Sequence, residues 1–256
     1  MNENEIVINE TRINYKIGGT GEPLVILHGW GGSSNSWLKV IEKLEKDFKI
    51  VCPDLPGFGK SEPPKSIWGL KEYANWLKEF VEKLRLEKFF LLGHSFGGRV
   101  AIKFSIFWPE KIKKLILCNS AGIKQKKNLK EKIIFSLALL GNAIFSPKIF
   151  QRFKDKAQNL FYLFIRNLDY AKANQTMKEI MKKVIEEDIL PELSFLKVET
   201  LIIWGERDNI LPLDHAFIFR EKIPNSQIKI LPKTFHSPHL ENPERLAQII
   251  SQFLKR

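Results

Sequence analysis

Residues 89–98 read Phe-Phe-Leu-Leu-Gly-His-Ser-Phe-Gly-Gly, and they decide how this chain is expected to fold. The apolar run at 89–92 is typical of a buried strand, and the stretch 99–107 that follows is typical of a helix. Gly-x-Ser-x-Gly at such a junction predicts a tight turn with no room for neighbouring side chains. Ser95 would then stand on a strained backbone, beside a helix N-terminus that favours negative charge. We therefore predict that Ser95 is a nucleophile.

Short apolar runs that end in Gly or Pro loops recur along the chain. Their length and borders indicate strands buried on both faces, as in a parallel sheet. Two earlier segments alternate apolar and polar residues, which predicts an antiparallel hairpin at the sheet edge. The predicted strands are at residues 6–8, 13–17, 24–27, 50–52, 89–92, 115–118, 201–204 and 228–231. Helical periodicity at 70–84 and 246–254 favours an alternation of strands and helices.

One region, residues 123–195, interrupts this alternation with helix-compatible segments and no strand signal. Strands are predicted on both sides of it, so we expect a helical cap inserted into a core formed by residues 1–122 and 196–256. The region is basic and rich in Phe, Leu and Ile, which suits a lid over an apolar pocket. Phe135 and Phe161 are candidates for lining that pocket, with packing inside the lid as the alternative. The predicted fold is α/β, with a mostly parallel eight-stranded sheet in a three-layer sandwich and an inserted helical lid.

A second glycine-rich loop follows the strand predicted at 24–27. Residues 27–32 read Leu-His-Gly-Trp-Gly-Gly. A loop in this place can supply one backbone N–H to an oxyanion, and the residue after the nucleophile supplies another. The expected donors are the amides of Trp30 and Phe96. His28 is expected to brace the loop through backbone hydrogen bonds rather than act as a base.

An acid and a base follow the serine in the order Ser, Asp, His. Asp208 comes soon after the strand predicted at 201–204 and is expected to orient the histidine, with Glu206 as its competitor. His236 comes first in the loop after the last predicted strand. It is therefore the predicted base.

Three other polar residues near these motifs are expected to have roles other than those of nucleophile, base and acid. His239 lies closer to the final helix than His236 does, and His94 adjoins the serine. Both are candidates for lining the substrate pocket. Glu241 is expected to cap or brace the final helix.

Taken together, these motifs resemble those of the α/β-hydrolase superfamily. The resembling segments are residues 28–32, 54–61, 93–98, 204–208 and 236–241, which span nearly the whole core. The resemblance implies that Asp54 has a structural role in a turn beside the site. One departure is Phe235, since the family usually has Gly before the histidine.

Within this family, the resemblance implies ester hydrolysis of the carboxylesterase type through an acyl-enzyme. Dehalogenases and epoxide hydrolases of the family carry Asp where this chain has Ser95. Relatives that cleave carbon–carbon bonds often carry Asn where this chain has His94. Thioester hydrolysis and carbon–carbon bond hydrolysis are alternatives on the same fold. A non-catalytic small-molecule-binding protein is an alternative of another class.

The composition indicates which classes of partner to expect. The net charge is +12, from 41 Lys and Arg against 29 Asp and Glu, but the excess is spread out and no nucleic-acid motif accompanies it. The expected partner is an apolar acyl substrate, not nucleic acid. Contact of the basic lid with a membrane surface stays open but is not expected. Cys52 and Cys118 have no ligand pattern around them, so we expect buried thiols and no zinc site. Ester hydrolysis through Ser95, His236 and Asp208 is expected to need no metal and no cofactor.

The chain begins with a polar, acidic segment and contains no apolar run of membrane-spanning length. This pattern predicts a cytoplasmic location. It leaves the oligomeric state undetermined.

Overall fold

An eight-stranded sheet forms the centre of the protein, of which the computed structural model describes residues 1–124 and 175–256. The strands in chain order are β1 (Asn2–Ile8), β2 (Thr11–Gly18), β3 (Glu22–Leu27), β4 (Phe48–Pro53), β5 (Phe89–His94), β6 (Ile112–Cys118), β7 (Thr200–Gly205) and β8 (Ser226–Leu231). All eight lie where the sequence predicts them. Each extends further at one or both ends, because pairing continues past the apolar run into polar residues.

The strands are arranged in the order β1-β2-β4-β3-β5-β6-β7-β8. β1 and β2 pair as an antiparallel hairpin at the edge, and β2 is also antiparallel to β4. The remaining neighbours are parallel. This confirms the predicted edge hairpin and the mostly parallel sheet. Every residue of β5 and β7 is buried, which explains the apolar runs at 89–92 and 201–204 within them.

The helices of the described residues are numbered here in chain order. They are α1 (Leu38–Leu44), α2 (Leu70–Lys83), α3 (Phe96–Phe107), α4 (Gln175–Glu186), α5 (Asp214–Lys222), α6 (Pro238–Glu241) and α7 (Pro243–Leu254). Short 3-10 turns are at Ser34–Trp37, Pro109–Lys111 and Leu190–Phe195. The predicted helices at 70–84 and 246–254 correspond to α2 and α7.

Helices cover both faces of the sheet. On one face, α1 and α7 share an apolar core with alternate strand residues such as Ile26 and Leu92. On the other face, α3 packs on β5, and the ring centroids of Phe89 and Phe104 lie 5.8 Å apart. α2 packs beside α3. The protein is therefore the predicted three-layer α/β sandwich.

The described part of the predicted cap is α4 and the 3-10 turn after it. The first compact unit of the chain comprises Met1–Ile123 and Asn174–Arg256, so α4 belongs with the sheet domain. Phe135 and Phe161 lie outside the described residues, as do the other helices predicted for the cap. The boundaries predicted at 122 and 196 stay predictions.

Two further expectations concern the cysteines and the membrane. Cys52 and Cys118 are free and buried, and burial raises the pKa of both thiols. This confirms the predicted buried thiols. Across residues 1–124 and 175–256, each helix is too short or too polar to cross a bilayer.

Candidate active site

Ser95 lies in the sharp turn between β5 and α3. Its φ angle of 50° is in the left-handed region, which is unusual for a residue with a side chain. Glycines make the turn feasible, because a Cβ on Gly97 would lie 2.4 Å from the Leu27 carbonyl oxygen. A Cβ on Gly93 would lie 2.4 Å from the Gly97 carbonyl oxygen. Close main-chain packing thus stabilises the strained backbone conformation of Ser95.

Three side chains from three loops form a continuous hydrogen-bonded chain. The Nε2 atom of His236 lies 3.1 Å from the Oγ of Ser95. On the other side of the ring, Nδ1 lies 2.8 Å from the Oδ2 of Asp208. The carboxylate requires a proton on Nδ1, which leaves Nε2 free to accept the serine hydroxyl proton. The structure therefore brings together the predicted nucleophile, base and acid.

Asp208 is held in its charged form by its hydrogen bonds. Burial alone would raise its pKa, but the hydrogen bond and charge of His236, with hydrogen bonds from Leu211 and Asn119, outweigh burial and lower the pKa. Oδ1 also accepts the backbone N–H of Ile210 at 2.8 Å. The side chain of Asp208 is fully buried, so these bonds work with little competition from water.

Glu206 does not take part in the hydrogen-bonded chain of Ser95, His236 and Asp208. Its Oε2 accepts the backbone N–H of Lys233 at 2.8 Å. The carboxylate two residues before Asp208 therefore braces the loop after β8, whereas the carboxylate of Asp208 contacts His236.

His94 and His239 are buried beside His236. The Nε2 of His94 donates to the His236 carbonyl oxygen at 2.9 Å. His239 stacks on Trp37, with ring centroids 4.6 Å apart. Burial and the neighbouring His239 and His236 hold the pKa of His94 well below its ordinary value, and burial lowers the pKa of His239 to about 3. Both rings are therefore neutral. Their role in lining a substrate pocket stays a prediction.

The loop that carries His236 does not need the glycine that the family usually has before the histidine. The backbone of Phe235 lies outside the left-handed region, so a side chain is accommodated there. The predicted role of Glu241 is wrong, because its carboxylate turns back to this loop instead of capping α7. It accepts the N–H of Phe235 at 2.7 Å and the N–H of Ser237 at 3.0 Å.

The two expected oxyanion donors lie on adjoining segments. Phe96 is the first residue of α3, and its ring centroid lies 5.2 Å from that of Trp30. Within residues 1–124 and 175–256, neither amide N–H donates to a protein acceptor. Both amides are therefore available, and their role toward an oxyanion stays a prediction.

His28 and Asp54 brace the loops around these donors. The Nε2 of His28 accepts the Leu55 N–H at 2.9 Å, and Nδ1 lies 2.7 Å from the Gly29 carbonyl oxygen. Asp54 accepts the N–H of Ser34 at 2.7 Å and that of Lys60 at 2.9 Å. The hydrogen bonds confirm the predicted loop-bracing roles of both residues.

Asn119 is a site residue that the sequence reasoning missed. Its Nδ2 donates to the Oδ2 of Asp208 at 2.6 Å and to the Phe235 carbonyl oxygen at 3.4 Å. Its Oδ1 accepts the Gly205 N–H at 3.3 Å. One signal for it existed, since a polar residue directly after the buried strand β6 lies at the carboxyl edge where such sheets bind ligands.

Arg99 is a second missed residue, and it anchors α4 to α3, the helix that begins directly after Ser95. Its guanidinium donates to the carbonyl oxygens of Val184 and Glu187, the latter at 2.8 Å. Burial lowers its pKa to about 10, so the side chain stays charged at neutral pH. A cation at a helix C-terminus is favourable, and these carbonyls have no partner within the helix.

Comparison with known proteins places the chain in a family. A model of the alpha/beta hydrolase fold matches residues 22–243. The chain belongs to the alpha/beta hydrolase family. Within it, the chain is 31% identical to a pimeloyl-[acyl-carrier protein] methyl ester esterase from Wigglesworthia glossinidia brevipalpis, over 94% of this chain and 96% of that protein.

Other members of the family are nearly as similar. A 2-hydroxy-6-oxononadienedioate/2-hydroxy-6-oxononatrienedioate hydrolase from Pseudomonas putida is 28% identical, over 96% of this chain and 92% of that one. The crystal structure of a bacterial membrane phospholipase A has a TM-score of 0.79 at 26% identity, over 99% of this chain and 86% of that one. This alpha/beta hydrolase is therefore similar to an esterase, a phospholipase and a hydrolase of 2-hydroxy-6-oxo dienedioates.

Among residues 1–124 and 175–256, no group of three or more His, Cys, Asp or Glu side chains is arranged to hold a metal. The hydrogen bonds that link Ser95, His236 and Asp208 are suited to proton transfer and nucleophilic attack.

Proposed function

We propose that this alpha/beta hydrolase cleaves ester bonds as a serine carboxylesterase, with Ser95 as nucleophile, His236 as general base and Asp208 as orienting acid. The observation that carries the proposal is the pair of contacts on the His236 ring, 3.1 Å to Ser95 Oγ and 2.8 Å to Asp208 Oδ2. Nucleophile, base and acid in this linkage can activate a serine hydroxyl at neutral pH.

The mechanism follows from these positions. The Oγ of Ser95 attacks the acyl carbon while His236 takes its proton, and Asp208 stabilises the resulting imidazolium. The amides of Trp30 and Phe96 stabilise the oxyanion. The imidazolium then protonates the alkoxide as it departs. The acyl group stays bound to Ser95 as an acyl-enzyme. Water activated by His236 releases the acid and restores Ser95.

The substrate that we propose carries an apolar acyl group. The rings next to the nucleophile support this, because Trp30 contacts Phe58 and Phe96 with centroids 4.8 and 5.2 Å apart. Tyr73 also contacts Phe96, with ring centroids 5.0 Å apart. Phe58, Phe96 and Tyr73 are buried, and Trp30 is half-buried. Such an aromatic cluster favours apolar groups over charged ones in its neighbourhood.

A second candidate is hydrolysis of a carbon–carbon bond, and it is favoured by the similarity to the Pseudomonas putida hydrolase named above. His94 favours the ester instead, because relatives that cleave carbon–carbon bonds often carry Asn at this position before the nucleophile. In this protein His94 donates a hydrogen bond to the His236 carbonyl oxygen. Direct comparison of p-nitrophenyl esters, acyl thioesters and a 2-hydroxy-6-oxo dienoate separates the three reactions, and the ester is expected to have the highest kcat/KM.

The proposal is tested by turnover of p-nitrophenyl esters with acyl chains from acetate to decanoate. Ser95→Ala is expected to lower kcat by about 10⁴-fold or more, because removal of the nucleophile leaves only binding and oxyanion stabilisation. Ser226→Ala is the control, since Ser226 starts β8 at the other end of the parallel strands. Equal activity of Ser95→Ala and the wild type would refute the proposal.

A further inference from the structure

The polar backbone groups around His236 are held by side chains from elsewhere in the fold. His94 donates to the His236 carbonyl oxygen at 2.9 Å, and Asn119 donates to the Phe235 carbonyl oxygen at 3.4 Å. Glu241 accepts the two N–H groups on either side of the base, at 2.7 and 3.0 Å. Side chains therefore help to fix the loop, in addition to main-chain packing at Gly205, where a Cβ would lie 2.0 Å from the Phe235 carbonyl oxygen.

Glu241 is suited to this task by its place in the chain. It ends α6, the single helical turn that begins directly after the loop. The Ser237 carbonyl oxygen accepts the N–H groups of Leu240 and Glu241, while the Ser237 N–H returns to the Glu241 carboxylate. The turn thus closes on itself, and the second carboxylate oxygen reaches past His236 to Phe235.

We propose that Glu241 is a positioning residue for the reaction, which fixes the backbone on both sides of His236 and so sets the reach of its imidazole toward Ser95. This inference rests on the function proposed above. A carboxylate bonded to N–H groups forms charge-assisted hydrogen bonds, which are shorter and stronger than neutral ones. Neutral side chains cannot replace it fully, since an amide has one acceptor oxygen for two donors.

Removal of the Glu241 carboxylate should slow the chemical step and leave substrate binding unchanged. Glu241 contacts the backbone next to the base and makes no described contact with Ser95 or with the expected oxyanion donors. If the loop loosens, the Nε2 atom samples positions away from Ser95 Oγ, and misplacement by about 1 Å can cost up to about 10²-fold in rate. The pocket that holds the acyl group stays unchanged.

The test compares Glu241→Gln and Glu241→Ala with the wild type, and uses Glu244→Gln as the matched control. Glu244 is also an exposed carboxylate, in the first turn of α7, and its described partner is Lys43 at 3.8 Å rather than the loop. Each protein is treated with a fluorophosphonate probe, and both the labelling rate and the labelled fraction at saturation are measured. kcat and KM are measured on a p-nitrophenyl ester.

The expected result is a slower reaction in a fully folded enzyme. Glu241→Gln should lower kcat and the labelling rate by about tenfold, and Glu241→Ala by somewhat more, with KM within about twofold of the wild type. The labelled fraction at saturation should stay complete. Glu244→Gln should match the wild type in every respect.

Two results would overturn the inference. One is labelling and kcat within about twofold of the wild type in both Glu241 variants. The other is a reduced labelled fraction with an unchanged rate, which would mean that Glu241 only stabilises the fold. If Glu241→Ala fails to fold, Glu241→Gln decides alone. The wild type is measured first, because an unlabelled wild type refutes the proposed function itself, whereas a labelled wild type with unaffected variants refutes only the role of Glu241.

Discussion

The two halves of the candidate active site are built in different ways. The turn at Ser95 is held by main-chain packing, where glycines allow neighbouring backbones to approach within distances that no Cβ permits. The loop at His236 is held by the side chains of Glu241, His94 and Asn119. The serine turn therefore depends on absent side chains and tolerates no addition. The His236 loop also packs closely against Gly205, but it depends in addition on side chains that are present, and it should lose function gradually as they are removed.

The largest effect is expected from adding a single methyl group to the serine turn. Gly97→Ala would bring a Cβ to 2.4 Å from the Leu27 carbonyl oxygen and 2.6 Å from that of His28, and neither backbone can move aside. Overpacking against main chain should lower the free energy of unfolding by about 3 kcal/mol or more and abolish esterase activity. Chemical denaturation and ester turnover measure the two effects.

Gly122→Ala is the control for this prediction. Its Cβ would meet the side chains of Phe219 and Ile189 at 2.8 and 3.0 Å, which can shift. A small loss of stability with activity retained is expected. If Gly97→Ala is as stable and active as Gly122→Ala, the serine turn is not held by main-chain packing.

The next largest effect is expected from a change of Asp208, whose carboxylate holds the ring of His236. Asp208→Asn is expected to lower kcat by about 10³- to 10⁴-fold with little change in KM, because the amide no longer enforces the Nδ1 tautomer of His236 or stabilises the imidazolium. Glu206→Gln, which alters the carboxylate bonded to Lys233, should stay near the wild type. Steady-state kinetics of both variants check this, and a larger loss in Glu206→Gln would reverse the assignment of the acid.

A comparison of particular residues shows what could be predicted from the sequence. The strands, the serine turn and the order of Ser95, Asp208 and His236 follow from local patterns, because each motif sits next to the strand that positions it. The hydrogen bonds of Asn119 and Arg99 join segments that are nearly 90 residues apart, so no local sequence pattern predicts them. The hydrogen bonds of Glu241 are local, but they depend on the turn at residues 237–241, which the sequence pattern does not distinguish from a cap of the final helix.

The smallest effect is a change in how stability depends on pH. The folded-state pKa of Asp208 lies below its ordinary value of 3.8. Its stabilising contribution is therefore fully present above that value and is lost as the pH falls through the lower folded-state pKa. Asp208→Asn cannot titrate, so the difference in free energy of unfolding between the wild type and this variant should shrink as the pH falls below 3.8. Urea denaturation at several pH values measures it, and a difference independent of pH would contradict the lowered pKa.

We propose that Ser95 is the activated nucleophile of this alpha/beta hydrolase. Reaction with a fluorophosphonate probe, followed by proteolysis and mass spectrometry of the modified peptide, shows which residue is modified. One adduct is expected in the wild type, on Ser95, and none in Ser95→Ala. An adduct on another residue, or an unmodified wild-type protein, would contradict the proposal.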